Sequence, residues 1–215
     1  MTELRLDVHG ISVLLACDHP VVLESLRRDF AYFEAGPADT RPHIRWTLHA
    51  DGARRIAEPA RRAAFHMRDF AVFDEGSTRF VRYEDGALAV YDYGARSGHL
   101  YCGDPERLHE LSYLAVLSRV GEDLDRRKLH RLHALGFEYK GWAGFILLPS
   151  GGGKSTLALE LIRSSGLGIV SEDTPILSHQ MRARAFPLRW GFAPSVDLSS
   201  VPKELIRLFR RKRHG

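Results

Sequence analysis

The chain has 215 residues, 44% of them hydrophobic, with a formal net charge of +4. That length and composition suit one large or two small domains with a real core. Residues 203–213 hold six basic side chains and one acid, a charge of +5, so the remainder sums to −1 and does not argue for a nucleic-acid groove. No stretch approaches about 18 apolar residues, so no transmembrane segment is expected. Met1-Thr2-Glu3-Leu4-Arg5 lacks the apolar run of a signal peptide. Cys17 and Cys102 fit neither a paired metal site nor a disulfide framework. A cytoplasmic, reducing location is the expectation.

Leu4, Leu6 and Val8 alternate with polar residues, and Ile11, Val13 and Leu15 resume the alternation after His9-Gly10. This predicts two strands joined by a short turn. Asp18 reads as an N-cap with Pro20 in the first helical turn. Leu23, Leu26, Phe30 and Phe33 then form one apolar helical stripe, which Gly36-Pro37 stops. From Arg41 to Cys102 the period is mostly two. Ile44, Trp46 and Leu48 mark one strand, and 69–73, 78–83, 87–93 and 98–102 read as others. Asp85-Gly86 is a hairpin signal, while 51–66 fits either a short helix or a loop. This half predicts a mainly antiparallel β module with one helix.

After Asp104-Pro105 a buried helix is expected on Leu108, Leu111, Leu114, Ala115, Leu117 and Val120, with the charged run from Gly121 able to end it. Leu135–Tyr139 and Phe145–Leu148 are apolar strand candidates. The second lacks alternation, as a strand covered on both faces would. Ser155 to Ile162 reads as a helix, Gly166 as the residue just past it, and Leu167–Val170 as a short buried strand. The predicted domains are 1–103 and 104–215. Pro202 opens a candidate amphipathic basic helix carrying Leu205, Ile206 and Phe209. The histidines show no HxxxH or HxH spacing, so zinc is not expected.

The chemistry concentrates at Ser150-Gly151-Gly152-Gly153-Lys154-Ser155-Thr156, between a predicted strand and a helix. A loop that wraps a phosphate must turn successive backbone N–H groups inward, which glycine permits and side chains obstruct. A helix N-terminus adds unpaired N–H groups and a positive dipole end. Lys154 would reach the β- and γ-phosphates, and the Ser155 hydroxyl would ligate Mg²⁺. The usual spacing, G-x-x-x-x-G-K-[ST], is met except at its first glycine, where Leu148 stands. Ser171-Glu172-Asp173-Thr174-Pro175 follows the next strand. Ligands of parallel α/β sheets gather at the carboxyl ends of strands. One of these carboxylates would hold Mg²⁺ and the other would accept a hydroxyl proton.

His133, Gly141, Phe145-Ile146-Leu147-Leu148, Ser150 to Ser155, Leu157 to Ile162 and the pair Glu172-Asp173 together resemble HPr kinase/phosphorylase. The resemblance covers roughly residues 130–175. In that family a histidine stands at the same distance before the loop lysine. The N-terminal half, with Ala185-Phe186-Pro187-Leu188, looks more like the HPr-kinase-related proteins of bacterial peptide-maturation clusters. Some of those phosphorylate a serine of a small ribosomal peptide, lasso peptides included.

The resemblance implies an α/β fold: a P-loop domain of the HPr-kinase and PEP-carboxykinase type behind the β-rich module. It implies ATP and Mg²⁺ as cofactors, with Lys154 and Ser155 on phosphate and metal. Glu172 or Asp173 would supply metal binding and the base, and His133 would lie near the phosphates. Homo-oligomers would follow by analogy. Glu172 replaces an aspartate, and 42 residues follow Asp173. The expected acceptor-binding segment is therefore reduced, absent or supplied by another chain. The expected function is a serine kinase acting on a peptide or small protein. The alternatives are a catalytically weak nucleotide-binding regulatory or assembly subunit, and a nucleotide hydrolase that switches conformation. Arg182, Arg184 and Arg189 are further candidates for touching phosphate or substrate.

Overall fold

The computed structural model describes residues 1–37, 40–51, 62–149, 151–163, 166–192, 196–199, 201 and 203. Ser150, most of the 51–66 segment and the basic helix expected after Pro202 lie outside the described residues. Strands β1 (Thr2–Val8) and β2 (Ile11–Cys17) pair antiparallel across the His9-Gly10 turn. Both turn residues take positive φ, 55° and 84°, as a tight hairpin with right-handed strand twist requires. Helix α1 (Pro20–Asp29) then carries the chain over to β3 (Ile44–His49). A helical crossover allows parallel pairing, and β3 lies parallel to β2.

Next come β4 (Phe65–His66), β5 (Phe70–Glu75), β6 (Thr78–Tyr83), β7 (Leu88–Asp92) and β8 (Ser97–Tyr101). These five form an antiparallel meander whose last strand closes parallel against β3. The result is an eight-stranded sheet in the order β1-β2-β3-β8-β7-β6-β5-β4. The module is mainly antiparallel, as expected, and the two parallel pairings that flank β3 make the sheet as a whole mixed. Alternation reveals which face a residue occupies, but not the direction of the neighbouring strand.

Helix α2 (Pro105–Arg126) packs against α1 and against β2, β3 and β8. Its start is fixed by Asp104, whose side chain accepts from the Glu106 and Arg107 N–H groups. The helix ends at Arg126, inside the charged run expected to end it. Gly121 lies within the helix, and the guanidinium of Arg131 packs close against it. The N-cap expectation at Asp18 fails. The capping position is His19, with no side-chain cap bond, and Asp18 Oδ1 accepts from Ala50 N at 3.0 Å.

One apolar cluster spans α1, α2 and the large sheet, from Leu4, Ile11 and Leu26 through Leu48 and Leu100 to Leu108 and Leu124. It continues to Leu129, Ile176 and Phe186, so α2, assigned by sequence to the second domain, buries its apolar side on the first module's sheet.

Among the described residues there are also two small sheets. One is built from β9 (Leu129–Arg131), β13 (Ile176–Ser178) and β14 (Ala183–Arg184), in the order β14-β13-β9. The other is built from β10 (Leu135–Tyr139), β11 (Trp142–Ile146) and β12 (Gly168–Ser171), in the order β11-β10-β12, with α3 (Lys154–Arg163) packed on β12 and β10. The strand expected at Phe145–Leu148 is shifted and is not buried. β11 is an edge strand, Trp142 is exposed, and Leu147 lies beyond its end, also exposed. Among the described residues, no helix is long and apolar enough to cross a membrane. The described residues form a mixed α/β structure with one large mixed sheet and three α-helices.

Candidate functional site

The small sheet around β10 assembles the residues singled out in the sequence. It is not the parallel sheet expected there, since β10 runs antiparallel to both neighbours. Its two outer strands therefore run in the same direction, and their carboxyl ends emerge on one side. In the register, Leu135 faces Ile146 and Gly136 faces Ser171, so both ends lie beside the beginning of β10. The glycine-rich turn follows the first end, the acidic pair follows the second, and His133 precedes β10.

The turn from Leu148 to Lys154 is shaped by its glycines. Gly151 and Gly153 have φ of 76° and 87°, a region that costs side-chain-bearing residues about 1–2 kcal/mol. Gly152 donates to the Pro149 carbonyl at 2.9 Å, and a Cβ on it would stand 2.9 Å from that same oxygen. The three glycines are exposed, and α3 begins directly after them.

Lys154 turns inward and is 8% exposed. Its Nζ lies 3.3 Å from the Leu148 carbonyl oxygen, 3.0 Å from His133 Nε2 and 3.5 Å from Asp173 Oδ1. His133 Nδ1 stands 3.1 Å from the same Asp173 oxygen. A lysine ammonium has only donors, so toward it Nε2 is the accepting nitrogen, and Nδ1 is the nitrogen that faces Asp173. One residue along, the Ser155 hydroxyl donates to Glu172 Oε1, in a carboxylate that is itself buried.

The backbone holds these partners in place. Ala134 N donates to Asp173 O at 3.1 Å and Leu132 N to Pro175 O at 2.9 Å, which lays 132–134 along 173–175. Ser171, buried, donates from Oγ to Phe186 O at 2.9 Å and accepts from Thr174 N at 3.1 Å. It thereby fixes the turn that presents both acids. The sequence reading did not give Ser171 a role. A hydroxyl three residues before Thr174 is a local turn signal that was available.

The structure thus brings together His133, Lys154 and Asp173 as one group and Ser155 and Glu172 as a second. Thr156 is exposed, outside both groups. Arg189 sits elsewhere: it packs over the Tyr113 ring at 3.7 Å and pairs with Glu110 at 2.7 Å. A helix N-terminus behind a glycine turn, with a buried amine beside it, can receive an anion. A hydroxyl and a carboxylate in contact form an all-oxygen pair suited to a hard divalent cation. The fold and site together define a mixed α/β protein with an amine-and-carboxylate cluster at the end of a small antiparallel sheet. Comparison with family models, curated proteins and solved structures found no match to this chain.

Proposed function

We propose that the protein is an ATP- and Mg²⁺-dependent kinase that transfers the γ-phosphoryl group to a serine hydroxyl of a peptide or small protein. The observation that carries this reading is the position of Lys154. It is the first residue of a helix that opens behind three glycines, and its amine is within 3.5 Å of Asp173 and 3.0 Å of His133. The turn N–H groups and the Lys154 amine would cradle the β- and γ-phosphates. Asp173 would take the proton of the attacking serine as its oxygen bonds to the γ-phosphorus and ADP leaves. His133, through Nδ1–H, orients that carboxylate. Ser155 and Glu172 would hold Mg²⁺, which when bound neutralises charge between the β- and γ-phosphates. The resemblance to the HPr-kinase-related proteins of peptide-maturation clusters supports a peptide as acceptor.

A second reading has its own observation. Leu148 occupies the first-glycine position, and its carbonyl accepts from Lys154, so part of the lysine's capacity is met by the loop itself. That favours a nucleotide-binding protein of weak catalytic power. Incubation with ATP, Mg²⁺ and candidate serine peptides, read by mass, separates the two. Transfer by the unaltered protein and none by Lys154→Ala, with unchanged circular dichroism, is the expected result. Normal turnover by Lys154→Ala would refute the kinase assignment. ATP binding without transfer to any peptide would select the second reading.

A further inference from the structure

A second group of polar side chains lies on the large sheet, apart from the residues discussed so far. β2, β3 and β8 are neighbours and run parallel. Asp18 follows the end of β2, His49 ends β3 and Asp51 lies two residues beyond it. One ligand atom from each of these three residues lies within 4.8 Å of the other two. On β8, His99 Nδ1 is 3.1 Å from His49 Nε2.

Two features go beyond chance proximity. First, Asp18 follows a strand and precedes a helix, where a carboxylate ordinarily caps, yet it does not cap α1. It reaches across to β3 and is oriented there by the Ala50 N–H, bonded at 3.0 Å to one of its two oxygens. Second, the His49 ring is fixed from two sides. It stacks on Tyr101 at 4.4 Å and 7°, and it shares a hydrogen bond with His99. An imidazole held through one nitrogen by a neighbouring polar group keeps the other for a ligand, the arrangement found around metal-binding histidines.

The geometry points to a site for a divalent transition-metal ion, Zn²⁺ or a first-row neighbour, ligated by Asp18, His49 and Asp51 and oriented by His99. A mixed imidazole and carboxylate set suits zinc, whereas Mg²⁺ takes oxygen alone. The histidine spacing in the sequence concealed this set, because Asp18, the His49–Asp51 stretch and His99 belong to three parts of the chain that meet only in the fold. The inference does not depend on the kinase reading.

Calorimetric titration of the tag-free, metal-stripped full chain with Zn²⁺ tests it, with Co²⁺ as a visible-absorbing substitute. One equivalent is expected to bind, and Co²⁺ should develop d–d bands at the same stoichiometry. His49→Ala and Asp18→Asn should each weaken binding by about tenfold or more, and His66→Ala, a surface control, should leave it unchanged. Asp18→Asn keeps the oxygen that accepts from Ala50, so it decides the matter if His49→Ala fails to fold. Absence of saturable binding to the unaltered chain, or equal affinity in Asp18→Asn, would overturn the site.

Discussion

Asp173 meets both other members of its group, Lys154 at 3.5 Å and His133 at 3.1 Å, through a single oxygen. On the kinase reading, its second oxygen would face the reacting hydroxyl. An asparagine would still offer a carbonyl oxygen to His133 and Lys154, but it cannot take up a proton. On the kinase reading, Asp173→Asn should lower the transfer rate at saturating ATP by about 10²- to 10⁴-fold, the usual worth of a general base. ATP affinity, measured by equilibrium titration, should change far less. A rate equal to that of the unaltered protein would remove Asp173 from the chemistry. Asp18 shows how a single residue type can mislead. It carries a strong local signal for a cap and is used for a tertiary purpose instead, to meet Ala50 across the sheet.

At the scale of elements, the α1–α2 interface buries a strongly perturbed phenol. Tyr113 on α2 stacks on Phe30, at the end of α1, with ring centroids 5.2 Å apart, and Arg189 lies over its other face. Burial pushes the Tyr113 pKa up to about 12, against the opposing pull of Arg189. The raised value means that the folded state resists ionisation which the unfolded chain undergoes near pH 10. The stabilisation is therefore fully present below pH 10 and is lost as pH climbs from about 10 to about 12, at most about 2–3 kcal/mol. Denaturant midpoints measured across this range should fall more steeply for the unaltered protein than for Tyr113→Phe. Equal slopes would show that the phenol is not held neutral. Most elements of this half were legible because their periodicity was clean, as in β1, β2 and α1. Strand direction was not, since a period of two is the same in parallel and antiparallel pairs. β11 was misplaced for a related reason. Leu147 and Leu148 extend its apolar run but belong to the following turn, and an apolar run alone does not disclose how many faces are covered.

Across the whole molecule, the segment 185–186 joins the large sheet to the acidic turn. Ala185 O accepts from His9 Nε2 at 2.8 Å, in the hairpin that starts the large sheet. Phe186 N donates to Val170 O at 3.2 Å, and Phe186 O accepts from Ser171 Oγ. The Phe186 ring, 3% exposed, lies 5.4 Å from that of Phe33, which follows α1. The acidic turn is thus held by a strap anchored in the core of the other module, and stability and site geometry should be separable there. Phe186→Ala removes a core side chain and should cost about 3–5 kcal/mol in denaturant unfolding. Ser171→Ala leaves the core intact but frees Phe186 O and Thr174 N inside the structure, at about 1–3 kcal/mol. The smaller loss of stability should nevertheless bring the larger loss of function. Ser171 bonds directly to the turn that presents Glu172 and Asp173, whereas Phe186 acts on it through the Ser171–Phe186 bond, which uses main-chain atoms that alanine retains. On the kinase reading, transfer rates measured well below each variant's melting temperature should fall further for Ser171→Ala than for Phe186→Ala. The reverse order would mean that the ring, rather than the hydroxyl, sets the position of the carboxylates.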